Sequence, residues 1–106
     1  MLELYYFPTA TCGYKARLTL AEKGVEYVHR VLNRDAGDLS TPEYLSLNPN
    51  AVVPTLVHNG QVLIESSIIM VYIDEAFEGY MLRSNHALER ARCAGWLKRA
   101  DDIYLP

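Results

Sequence analysis

The sequence has little of what several function classes require. It holds two cysteines, Cys12 and Cys93, far apart in the chain. There is no CxxC and no Cys/His pair at metal spacing, which argues against a disulfide framework or a zinc centre. There is no basic block, and the net charge is −3. Nucleic acid is therefore not the expected partner, because phosphate binding needs clustered cations. No apolar run is long enough to span a bilayer, and the N-terminus has no secretory pattern. Repeats and low-complexity tracts are missing too. These absences lead us to expect a cytoplasmic protein with no metal and no membrane partner. What is present suffices for one packed domain: 106 residues, 50% hydrophobic and 22% charged.

The most informative stretch runs from Asn48 to Ser67. Pro54 sits at the start of an apolar run, Val53-Pro54-Thr55-Leu56-Val57, as proline does at the first residue of a strand or on an edge. Asn59-Gly60 is a type I′ hairpin signal, since both residues tolerate positive φ. A second run, Val62-Leu63-Ile64, follows, so Val57 should face Val62 and Leu56 should face Leu63. Ser66 precedes an apolar run and reads as a helix N-cap. Two ligand-binding features lie here. The backbone of Val53, just before the proline, would be free to pair with an extended peptide-like ligand. The helix start at Ser66-Ser67 suits a carboxylate, and Glu65 beside it suits an ammonium group. Each also has a plain reading: Pro54 starts a strand, Ser66 caps a helix and Glu65 is a solvated charge.

Before this stretch, Leu2-Glu3-Leu4-Tyr5-Tyr6-Phe7 reads as a strand ended by Pro8. A helix is predicted from Thr11 or Cys12 to Lys23, stopped by Gly24. Tyr14, Leu18 and Ala21 share one face of it, with Leu20 near it, while Lys15, Arg17, Glu22 and Lys23 are expected in solvent. Residues 25–32 alternate and read as a second strand, parallel to the first by a right-handed crossover. Thr41 caps a short helix whose first residue is Pro42. The helix from about Ser66 to Phe77 is apolar on nearly all sides between Ile68 and Ile73, so it needs cover on two faces. Residues 79–86 read as a linker, and Ala87 to Tyr104 as a further helix. His58 is expected in solvent, and His29 and His86 show no partner.

The loop from Tyr5 to Arg17 places hydroxyls and one thiol between a strand end and a helix start. A helix N-terminus favours thiolate over thiol, whether the sulfur belongs to the chain or to a bound ligand. A hydroxyl donating to that sulfur favours it further. Thr11 and Cys12 are the candidates; as plain structure they would be a helix cap and a small buried hydrophobe. Cys93 is expected to pack in a helix interface.

The run NPNAVVPTLVHNGQVLIESSIIMVYIDE closely resembles the second half of the glutathione-binding domain of the glutathione transferase superfamily, nearest in pattern to zeta- and beta-like or bacterial types. The resemblance implies an α/β thioredoxin-like fold, βαβ then αββα with a mixed sheet, followed by the start of an all-helical domain. It implies a cis Val53–Pro54 peptide. Glu65 and Ser66 would hold the γ-glutamyl end of glutathione, and the Val53-Pro54 backbone its cysteinyl part. Domain limits of 1–78, 79–86 and 87–106 follow from it, the last being the first helix of a domain cut short. Ala10 stands where serine and omega-type cysteine members keep their reactive residue, leaving Thr11 and Cys12 as its neighbours. Val52 replaces a lysine or glutamine that often touches glutathione, and Ala51 replaces a common glycine.

The implied activity is attack of an activated glutathione thiol on an electrophilic small molecule, a detoxifying transferase chemistry carried out by a homodimer. Glutathione is the co-substrate. Two rivals stand beside it: thiol–disulfide exchange through Cys12, which needs only one low-pKa thiol, and a non-catalytic dimerisation or assembly module.

Overall fold

The computed structural model describes residues 1–104. The chain runs β1 (Leu2–Tyr6), α1 (Thr11–Lys23), β2 (Val28–Val31), α2 (Pro42–Leu47), β3 (Thr55–His58), β4 (Gln61–Ile64), α3 (Ser66–Ala76) and α4 (Ala87–Arg99). A π-helical segment, Ala100–Tyr104, continues α4. The four strands form one mixed sheet in the order β2-β1-β3-β4. β1 and β2 are parallel, with Tyr6 beside Val31. β3 is antiparallel to both β1 and β4, with Thr55 beside Tyr5 and Ile64. This is the thioredoxin-like arrangement that the resemblance implies. Val57 faces Val62 and Leu56 faces Leu63, the register that the Asn59-Gly60 turn dictates.

The period-two alternation of β1 sends Leu2, Leu4 and Tyr6 to one face. Ala16 and Leu20 of α1, Leu56 of β3, and Ile69 and Ile73 of α3 join them in the core. On the other face Tyr5 meets Tyr44 of α2, with ring centroids 5.8 Å apart.

Several expectations are corrected. Tyr14, Leu18 and Ala21 face solvent; of that apolar group only Leu20 is buried, together with Gly13, Ala16 and Thr19. The reason is close approach: a Cβ at Gly13 would stand 3.3 Å from the Cβ of Tyr6. A row of small residues lets α1 settle on the strand. β2 starts at Val28, not at Val25, because the Val25 N–H completes the end of α1 by bonding to the Leu20 carbonyl. Lys15 and Lys23 are largely buried; Lys23 donates to the buried Asp74 and to the carbonyl of Tyr80. His58 is not solvated: its Nδ1 lies 2.6 Å from the Tyr72 hydroxyl, and its ring stacks on Phe77. His29 does have partners, the Tyr6 hydroxyl at 2.7 Å and the ring of Tyr27. Ser66 is the first residue of α3, and Glu65 holds the N-cap position without a side-chain cap.

The second face of α3 is covered in part by α4. A cavity of about 310 Å³ lies between them, bounded by Met70, Val71, Cys93, Trp96 and Leu97. Ile68 remains more than half exposed.

Candidate functional site

The topology gathers the predicted site residues at one end of the sheet. β1 ends there at Tyr6, β3 begins there at Thr55, and β4 ends there at Ile64. α1 and α3 follow β1 and β4 at once, so both helices start at that end. Thr11 and Cys12 form the first turn of α1; Thr11 is exposed and Cys12 half-buried with a free thiol. Thr11 is not the cap. Ala10 holds the N-cap position and has no side-chain acceptor to offer the first-turn N–H groups. Those groups therefore favour an anion at the helix start.

The Val53–Pro54 peptide is cis. Among the described residues, neither the N–H nor the C=O of Val53 has a hydrogen-bond partner. Its neighbour is held firmly. The Val52 carbonyl accepts from the Tyr44 hydroxyl and from Asn48 Nδ2, and Asn48 and Tyr44 both reach Thr55 Oγ1. Asn48, Tyr44 and Thr55 are buried. Burial pushes the Tyr44 hydroxyl above the usual phenol range, and its bonds to Thr55 and Asn48 oppose that. The hydroxyl therefore stays protonated and keeps donating. The sequence reading missed this network; its only visible sign was a polar residue, Asn48, next to Pro49 ahead of an apolar strand.

Glu65 sits at φ 75, ψ 115, outside the regions that non-glycine residues favour. Its carboxylate is exposed, at the start of α3. Ser66 is buried and Ser67 half-buried beside it. A groove of about 540 Å³ opens at this point, bounded by Glu65, by Ser67 and Ile68 on α3, and by Leu97 and Asp101 beyond residues 77–86. Lys15 and Asp101 are further polar residues here that the sequence did not reveal, because they lie 86 positions apart.

Residues 1–75 match the family described as glutathione S-transferase, N-terminal domain. The chain belongs to that family. The chain is 39% identical over 97 residues to a maleylacetoacetate isomerase from Pseudomonas aeruginosa, covering 89% of this chain and 46% of that protein. It superposes on the crystal structure of the β-etherase LigF from Sphingobium sp. strain SYK-6 with a TM-score of 0.91 and 30% identity, covering 98% of this chain and 44% of that one. It is also similar to Ure2p in a structure with glutathione bound, with a TM-score of 0.87 and 27% identity, covering 95% of this chain and 45% of that one. The chain spans less than half the length of these relatives. Among the described residues there is no cluster of metal-ligating side chains, and no helix is long and apolar enough to cross a membrane.

Proposed function

We propose that this transferase domain binds glutathione across its sheet end and activates the thiol for attack on an electrophilic small molecule. One observation carries the reading: the α1 start, the Val53 edge and Glu65-Ser66 converge where an extended tripeptide would lie. Glu65 takes the α-ammonium of the γ-glutamyl group, and Ser66 with the α3 N-terminus takes its carboxylate. Val53 pairs with the cysteinyl backbone, with Pro54 fixing the direction of that edge. The thiol then lies at the α1 start. The uncapped helix terminus and the Thr11 hydroxyl favour its thiolate there. The same proposal divides the chain into a glutathione-binding domain (1–78), a linker (79–86) and the first helix of an all-helical domain. It also includes a homodimer, supported by the exposed Ile68 on α3, and a cytoplasmic setting, where glutathione is kept reduced.

A second reading makes Cys12 the nucleophile of thiol–disulfide exchange, because it is a free thiol in the first turn of α1. Cys12→Ser separates the two: it abolishes exchange and spares conjugation. The proposal is tested by titrating the chain with glutathione and following its amide NMR signals. Saturable shifts near Val53 and Ser66, lost in Glu65→Ala/Ser66→Ala, are expected. A folded sample with no shifts overturns the reading.

A further inference from the structure

A hollow lies on the other face of the sheet from α1 and α3. It holds about 230 Å³ and is bounded by Tyr5 of β1, by Leu32 and Asp38, and by Glu43, Tyr44 and Leu47 of α2. Sites for drug-sized ligands run to about 300–1,000 Å³, so this one suits a headgroup. The Tyr5 and Tyr44 rings meet at an interplanar angle of 54° and form two walls of a wedge. The Tyr44 hydroxyl is used elsewhere, on the Val52 carbonyl and Thr55 Oγ1, so this residue offers the hollow only its ring. The charge around the wedge is of one sign. Asp38 and Glu43 line it, and among the described residues no lysine, arginine or histidine does. Asp38 is held in place, its Oδ2 accepting from the Asn33 N–H at 2.7 Å. Arg30, opposite Tyr5 in register, is tied to Glu3 Oε1 through Nε at 3.0 Å and Nη2 at 2.7 Å. Its charge is therefore matched by Glu3, not by the carboxylates of the hollow.

We propose that this wedge binds the trimethylammonium group of a small soluble molecule, with Tyr5 and Tyr44 against its methyl groups and Asp38 and Glu43 balancing its charge. Aromatic rings attract such a cation through their quadrupole. A primary ammonium is strongly hydrated, and Leu32 and Leu47 could not replace the water it would lose. A trimethylammonium group has no N–H to satisfy, so it enters an apolar wedge at less cost. A phosphate close to the ammonium would meet the two carboxylates, which disfavours a phosphocholine headgroup. Glu43 also complements the α2 N-terminus, so charge alone would not make a site here; the aromatic wedge does. The wedge is a site apart from the proposed glutathione edge, joined to it through Tyr44, whose hydroxyl holds the Val52 carbonyl.

The test follows the amide NMR signals of the whole chain with choline and with neohexyl alcohol, the choline skeleton with carbon in place of the charged nitrogen. Choline should give saturable shifts at Tyr5, Leu32 and residues 41–47, and should bind roughly 10-fold more tightly than the alcohol. Phosphocholine should bind more weakly than choline. Tyr5→Leu keeps an apolar wall and should lose most of the preference for choline. Glu43→Gln should lose about 2- to 5-fold of it, the effect of one exposed charge. Equal binding of choline and the alcohol overturns the proposal, since it leaves an apolar hollow with no use for charge. A full preference for choline in Tyr5→Leu overturns it too, as do shifts from neither compound. Phosphocholine binding as tight as choline refutes the part given to the carboxylates. If Tyr5→Leu does not fold, Glu43→Gln decides the matter, because Glu43 is exposed and among the described residues its carboxylate has no partner to lose. An unchanged choline affinity in that variant overturns the proposal.

Discussion

Glu65 permits a test in which stability and binding move in opposite directions. Its φ of 75 is a conformation in which a Cβ is costly. Strained backbone of this kind costs about 1–3 kcal/mol, and persists where surrounding structure enforces it. Replacing Glu65 with alanine removes the carboxylate and keeps the Cβ. Replacing it with glycine removes both. Glycine relieves about 1–2 kcal/mol of left-handed strain but loses about 0.5–1 kcal/mol more unfolded-state entropy. Glu65→Gly should therefore be more stable than Glu65→Ala by about 0.5–1 kcal/mol. For a domain of this size that is roughly 2–6 °C in Tm by calorimetry. Both variants should bind glutathione at least about 10-fold more weakly, since each loses the counter-charge for the ammonium. Equal Tm values for the two variants would refute the claim of strain. Undiminished binding in either would refute the role of the carboxylate.

Other predictions are more direct. Asp74 is buried and accepts from the Leu82 and Arg83 N–H groups, from the Arg83 side chain and from Lys23. Burial works to raise its pKa, but these bonds and the Lys23 charge leave it below the unfolded value. Its stabilisation is thus fully present above the unfolded pKa of about 4 and is lost as pH falls toward the lowered native value. Asp74→Asn should destabilise the fold by roughly 3 kcal/mol at pH 7 and flatten the acid limb of a denaturant-versus-pH series; an unchanged limb would exclude Asp74 as its source. Thr11→Val should raise the pKa of bound glutathione's thiol by about one unit, read from thiolate absorbance against pH, and an unmoved pKa would leave the helix terminus as the sole activator. Ile73→Ala should cost about 2–5 kcal/mol by urea denaturation, because the side chain is fully buried against the sheet.

Local chemistry was legible in the sequence. The hairpin register followed from Asn59-Gly60 and the two short runs around it. The α2 start followed from Thr41-Pro42, and Thr41 Oγ1 does accept from the Tyr44 N–H. The gathering of Thr11, Val53 and Glu65 at one sheet end came from resemblance, not from spacing. What stayed hidden depends on distant partners. Lys15 and Lys23 looked solvated because Asp101 and Asp74 are far off in the chain. His29 and His58 looked idle because Tyr6 and Tyr72 reach them only after folding. The buried face of α1 was misread because large apolar residues were assumed to point inward. Close helix–strand approach selected glycine and alanine instead, and left Tyr14 and Leu18 outside.

The sheet order also has a consequence in time. The β3–β4 hairpin closes over two turn residues, whereas β1 must find β3 across a long intervening stretch. Loop-closure entropy makes the second pairing the slower event. The candidate ligand edge needs both, because Thr11 follows β1 while Val53 and Glu65 flank the hairpin. Competence to bind should thus be the last property to emerge during refolding. In a stopped-flow experiment, glutathione capture should lag behind hairpin formation; capture that keeps pace with it would mean that the long-range pairing forms first.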